Sequence, residues 1–140
     1  MQFRPAIHFP GNARDAIALY RTAFGGELDV TTFAGSPAES EVPPDWADRV
    51  LYARLQTAFG AIDLMDAPPG RERPSGGNVA VAIDLEDEAR AHAIFERLAD
   101  GGEVLMPFVP TFWAHRFGMV ADRFGVRWLI GVPVAQVIDA

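Results

Sequence analysis

The side chains able to move protons or hold charge in this sequence are few in kind. All twelve basic residues are Arg, and neither Lys nor Cys occurs, so Schiff-base, P-loop lysine, thiolate, disulfide and cysteine–zinc chemistry are excluded. The three serines, Ser36, Ser40 and Ser75, lie in Pro/Gly-rich stretches, and none occupies a G-x-S-x-G turn, which argues against a serine hydrolase. His, carboxylates, Arg, Tyr and the backbone remain. Asp63 stands out among them, because a carboxylate flanked by Ile62 and Leu64 must be solvated, paired or used. His8, beside Phe9, is either a ligand or base or a hydrogen-bonded structural histidine. His92 has Glu88 and Glu96 four residues away on either side, the pattern of a solvated helix face. His115 and Arg116 follow Thr111-Phe112-Trp113. Adjacent aromatics with a nearby His and Arg suit the mouth of a pocket for a planar or anionic small molecule, and suit a dimer interface equally well.

These residues must be positioned by short elements. Phe3 to Phe9 reads as a strand, ended by Pro10-Gly11-Asn12. Asn12 is placed to cap a helix together with Asp15, and Ala16, Ile17, Leu19, Tyr20, Ala23 and Phe24 recur at helical spacing until Gly25-Gly26. A strand from Glu27 to Phe33, a Pro-rich loop from Ala34 to Trp46, and a hairpin of Arg49–Thr57 with Ala61–Asp66 follow. Residues 67–77, with three Pro and three Gly, read as a linker. The pattern then restarts: strand 78–85, helix 86–100 stopped by Gly101-Gly102, strand 103–109, and a hairpin of 116–121 with 126–132.

The restart is an internal repeat. Ala18-Leu19-Tyr20-Arg21 corresponds to Ala93-Ile94-Phe95-Glu96, and Gly25-Gly26-Glu27-Leu28 to Gly101-Gly102-Glu103-Val104. Phe59-Gly60 corresponds to Phe124-Gly125 at a smaller offset, so the second copy lacks the counterpart of the 34–46 loop. Two tandem βαβββ modules, 1–66 and 78–140, are expected to share a core within one α+β domain.

With 49% apolar and 22% charged residues, a globular protein is expected, and the formal charge of −7 without any run of basic residues argues against nucleic acid or anionic membrane as partners. No apolar run reaches the length of a membrane span, and MQFRPAIHF lacks the features of a signal peptide, so a cytoplasmic location is expected.

The segments GNARDAIALYRTAFGGEL (11–28), GGNVAVAIDL (76–85), GGEVLMPF (101–108) and above all TFWAHRFGMVADRFGVRWLIG (111–131) resemble the PhnB-like branch of the vicinal oxygen chelate superfamily, which holds glyoxalases, ring-cleaving dioxygenases and bleomycin-resistance proteins. The resemblance implies two βαβββ modules forming a curved mixed sheet around a cup, and a homodimer. It also implies that a catalytic member holds a divalent metal with four side chains, at positions that fall here near Pro5, Asp63, Asn78 and Leu129. Only Asp63 is a good ligand in that set, and Asn78 is a weak carbonyl donor. Where the branch commonly carries a third-strand His, this chain has Tyr52.

Strand alternation places Val79, Val81, Ile83, Ile62, Leu64, Trp128 and Ile130 toward the helices, with Asn78, Asp63, Met65 and Arg127 toward the cup, where Asp63 and Arg127 are expected near one another as a neutralised pair or as a polar anchor for a ligand. His8 is expected on the helix side by register with Val81. Tyr52, Phe108, Trp113 and His115 complete the expected lining, with Trp46 and Arg54 as further candidates. The reading is a glyoxalase-like small-molecule-binding protein of unestablished activity, with a degenerate metal site and no cofactor. The alternative is a metal-dependent lyase, isomerase or dioxygenase using Asp63 with His8 or His115. S-adenosylmethionine is discounted, because no glycine-rich strand–turn–helix of the G-x-G type is present.

Overall fold

In the first helix, α1 (Ala13–Phe24), the residues at helical spacing, Ala16, Ile17, Leu19, Tyr20 and Phe24, are buried against a sheet, while Arg14, Asp15 and Ala18 face solvent. The computed structural model describes residues 1–74 and 77–134. The chain divides into two compact units, Met1–Pro74 and Ser75–Ala140. Ser75 and Gly76 of the expected linker, and residues 135–140 of the expected second module, lie outside the described residues.

In the first unit, β1 (Ala6–Phe9), β2 (Glu27–Thr32), β3 (Val50–Thr57) and β4 (Gly60–Asp66) form one sheet in the order β1-β4-β3-β2. β1 and β4 are parallel and the other pairs antiparallel. Ala53, Leu55, Ile62 and Leu64, all buried, form the surface on which α1 lies. Among the described residues of this unit, no α-helix packs on the other face of the sheet.

The second unit repeats this plan. β5 (Val81–Asp84), β6 (Glu103–Val109), β7 (Ala114–Ala121) and β8 (Arg127–Pro133) pair in the order β5-β8-β7-β6, and α2 (Glu88–Ala99) packs against β7, β8 and β6. Its core is Ile94, Phe95, Leu98, Val120, Trp128 and Ile130. Both helices have twelve residues, and the repeat is tight where each ends. A Cβ on Gly26 would stand 2.3 Å from the Gln56 carbonyl oxygen, and one on Gly102 2.3 Å from that of Ala121, so each glycine lets the chain leave its helix directly against its own hairpin. The α+β, two-module βαβββ fold expected from the repeat is therefore the one observed. No described helix is long and apolar enough to cross a membrane.

Three local expectations change. Asn12 makes no side-chain capping bond to α1. The cap comes from Asp66, whose Oδ1 accepts from the Ala13 N–H at 2.9 Å while its Oδ2 accepts from the Val50 N–H at 2.9 Å. A carboxylate 53 residues away in sequence thus ties the helix start to the last strand of its module. The fifth strand is shorter than 78–85, and Val79, expected on the helix side, lies outside it and is 79% exposed. The 34–46 loop contains two single 3-10 turns, the second ending in buried Trp46, whose ring meets Phe33 at 6.0 Å.

Candidate functional site

Asp63 sits in β4, directly paired with Ala6 of β1 on one side and Arg54 of β3 on the other. Its neighbours Ile62 and Leu64 are turned into the core, so the alternation of the strand sends its carboxylate to the helix-free face. There it is 6% exposed, because two guanidinium groups cover it. Arg54 Nε donates to Oδ1 at 2.9 Å and Arg4 Nε donates to Oδ2 at 3.1 Å. Arg54 also donates from Nη2 to the Tyr52 hydroxyl at 2.6 Å. Burial alone would raise the Asp63 pKa, but the hydrogen bonds from Arg54 and Arg4, with a smaller contribution from Tyr52, outweigh it and hold the carboxyl below its usual range. The same bond to Asp63 pushes Arg54 above its own ordinary value. Asp29 of β2 is the cross-strand neighbour of Arg54. Charges of alternating sign, Asp29, Arg54, Asp63 and Arg4, therefore cross the face.

His8 corrects an expectation. It pairs with Met65, while Ile7 pairs with Leu64, and Phe9 packs its ring against Tyr20 of α1 at 6.5 Å. His8 and Met65 consequently lie on the helix-free face, on the same side as Asp63. They line a pocket of about 680 Å³ bounded by Leu51, Phe33 and the Pro68–Arg73 stretch. Burial first, and the positive charge of Arg73 second, lower the His8 pKa from its ordinary value.

The expected partner of Asp63 is also corrected. Both carboxylate oxygens are taken by Arg4 and Arg54 of its own module, and Arg127 stands exposed at the start of β8, its Cα paired with Ala121. Phe108, expected to line the cup, is instead 8% exposed and stacks on Phe95 of α2 at 5.4 Å, on the helix side of its sheet. His92 is exposed, as its spacing indicates, but lies parallel to the Phe108 ring at 5.8 Å. Arg116 reaches back to Glu88 in the first turn of α2 and to the Phe108 carbonyl, so it belongs to the helix side as well. Trp113 is 46% exposed and meets Phe117 edge-on at 5.4 Å, and His115 is exposed. Asn78 lies outside β5 and is exposed. Tyr52 is placed beside Asp63 through Arg54.

Arg4 was not singled out from sequence, although Arg4, Ala6 and His8 alternate on one side of the first strand's line. Asp66 and Asp122 were missed too. Asp122 is 3% exposed; its Oδ1 accepts from the Phe124 and Val126 N–H groups and its Oδ2 from Trp128 Nε1 at 2.9 Å, which closes the turn of the second hairpin. An Asp opening a D-x-F-G turn was the available signal.

The glyoxalase/bleomycin resistance protein/dioxygenase superfamily profile matches residues 6–130. The chain belongs to that superfamily. It is 33% identical over 147 residues to Protein YjdN of Escherichia coli strain K12, with 97% of this chain and 98% of that protein covered. Among solved structures it is similar to protein PA1353 from Pseudomonas aeruginosa, at 36% identity and a TM-score of 0.85, covering 95% of this chain and 98% of the other. A PhnB protein from Bacillus cereus shares the fold at a TM-score of 0.76 and 18% identity, over 94% of this chain and 99% of that one.

At the four positions where the resemblance puts the metal ligands of catalytic members, the side chains present are a poor donor set for a divalent ion. Pro5 and Leu129 offer no side-chain donor, and Asn78 offers at best a carbonyl oxygen. The Asp63 carboxylate already holds two guanidinium groups. Among the described residues no group of three His, Asp or Glu side chains is arranged to hold a metal ion.

Proposed function

We propose that this chain is a small-molecule-binding member of its superfamily, which receives its ligand on the helix-free face of the first module without a divalent metal. The observation that carries the reading is Asp63. Asp63 falls where the resemblance puts one of the metal ligands of catalytic members, and its carboxylate is bonded to the guanidinium groups of Arg4 and Arg54, which supply the positive charge that a cation would otherwise bring. The pocket on the same face, floored by His8, Leu51 and Met65, combines a small apolar floor with a predominantly polar, charged wall, a surface suited to a small ligand with polar groups. Analysis of the purified protein should give far less than one equivalent of Zn, Mn, Ni or Fe per chain, and a chelator should leave the Tm unchanged. Stoichiometric metal retained through purification, or a chelator-dependent loss of stability, overturns the reading.

We also infer a homodimer. The support is the second module's row of exposed apolar side chains, Val104, Met106, Val109, Phe112 and Trp113, along and just beyond its edge strand β6.

A further inference from the structure

The pocket of the first module is built by sequence that the second module lacks. Its floor, His8, Leu51 and Met65, belongs to the strands, while its walls come from the 33–41 stretch and from Pro68–Arg73. Five charged side chains line it, and they differ in what they can offer a ligand. Asp66 has both oxygens bound to the Ala13 and Val50 amides. Glu72 accepts from the Gly70 N–H at 2.9 Å. Two of the three carboxylates are therefore already committed to backbone donors. The guanidinium groups of Arg71 and Arg73 make no side-chain hydrogen bond or ion pair among the described residues, and both are exposed. Each offers five N–H donors and no acceptor.

We infer that this pocket takes a small organic acid, its apolar body over Leu51 and Met65 and its carboxylate or phosphate oxygens on Arg71 and Arg73, with His8 as the polar group beneath. The inference deepens the small-molecule reading above and rests on it. It selects the ligand class by donor supply. An acceptor-rich anion satisfies two guanidinium forks that the protein leaves unmet, whereas a cation would find only the Glu41 oxygens and Glu72 Oε1, beside those same guanidinium groups. The His8 pKa is lowered by burial first and by Arg73 second, which agrees with a guanidinium group standing over the same pocket.

The test uses the full chain and three probes of one shape: benzoate, benzamide and benzylamine, with inorganic phosphate as a fourth. Proton–carbon NMR of the Met65 methyl and the His8 imidazole reports occupancy. Benzoate should shift both signals saturably, with an affinity about fivefold or more above benzamide, and benzylamine should not shift them. The Arg71→Gln/Arg73→Gln double variant should reduce benzoate to the level of benzamide, while Arg97→Gln, which removes one charge from α2, should leave the preference intact. Both wall arginines are exposed loop side chains, so the double variant is expected to fold, and its Tm checks this. Competition by phosphate as effective as benzoate assigns the site to oxyanions generally; weaker competition assigns it to organic acids with an apolar body. Saturable binding of benzamide equal to benzoate overturns the acid preference and leaves the small-molecule site standing. Absence of any saturable shift at Met65 overturns both.

Discussion

Arg54 and Asp63 are direct cross-strand partners in the β3–β4 ladder, and the Nε of one donates to the Oδ1 of the other at 2.9 Å. A pair in register needs no loop to bring it together, so the ion pair is a consequence of strand register alone. Arg4 completes it from the other side, without belonging to any strand. The helix-free face of the first module is thus organised around a carboxylate that is satisfied before any ligand arrives.

That state fixes a pH dependence. The folded Asp63 carboxyl titrates below its ordinary value of 3.8, so the stability it adds is fully present above that value and is lost as pH falls through the lower folded one. Asp63→Asn should cost about 1–2 kcal/mol at pH 7, the range for hydrogen bonds to charged groups. In urea melts from pH 7 to pH 3, the gap between wild type and variant should stay constant down to about pH 5 and close below about pH 4. A gap that widens with acid would mean that the carboxyl is raised.

The strand alternation of the second module can be tested at adjacent residues. Trp128 is fully buried and its Nε1 donates to Asp122, whereas Arg127 is exposed. Trp128→Ala should cost about 3–5 kcal/mol, and Arg127→Ala should change stability by less than about 0.5 kcal/mol. Comparable costs at the two positions would show that the register of β8 is displaced by one residue.

Why the repeat was legible and the site only partly so follows from where the information lies. The helical spacing of Ala16, Ile17, Leu19, Tyr20 and Phe24, and the paired Gly25-Gly26 and Gly101-Gly102, are local patterns that recur, and the fold they imply is the one observed. The orientation of Asp63 follows from Ile62 and Leu64 in the same way. The errors are of another kind. Register with Val81 puts His8 on the helix side, but the ring of Phe9 packs on α1 and forces His8 to the opposite face. Phe108 is expected in the lining, but its side is set by Phe95 across the helix–sheet contact. Arg4 as the partner of Asp63, and Asp66 as the cap of α1, are long-range pairings 59 and 53 residues apart that no local window contains.

For the inferred dimer, sedimentation at micromolar concentration should give a mass near two chains. Phe112 is 96% exposed and Trp113 46%, and they meet each other edge-on at 4.8 Å. Aromatic clusters of this kind dominate interface energies. The double variant Phe112→Ser/Trp113→Ser should move the mass toward a single chain without loss of secondary structure by circular dichroism. A single-chain mass for the wild-type protein overturns the inference.

The remaining prediction concerns Asp66, which joins three elements of the first module at once. It ends β4, accepts from the first amide of α1 and accepts from the first amide of β3, and it is 3% exposed. The two amides have no intrastrand or intrahelical substitute. The Ala13 N–H is one of the donors a helix start always leaves over, and the ladder of β2 with β3 shifts register beside Val50. Asp66→Ala therefore removes a helix cap and strands a buried donor at a strand start, and should cost about 2–4 kcal/mol by adding a cap loss to an unsatisfied-amide penalty. Asp66→Asn keeps one acceptor oxygen but turns the other position into a donor facing a donor, so it should recover no more than about half of the loss. Hydrogen exchange separates this account from a general loosening. The amides of Ala13 and Val50 should both lose protection in Asp66→Ala and only one of them in Asp66→Asn, while that of Trp128, in the other unit, should keep it in both. Protection that survives at Ala13 in Asp66→Ala would show that the cap is supplied elsewhere.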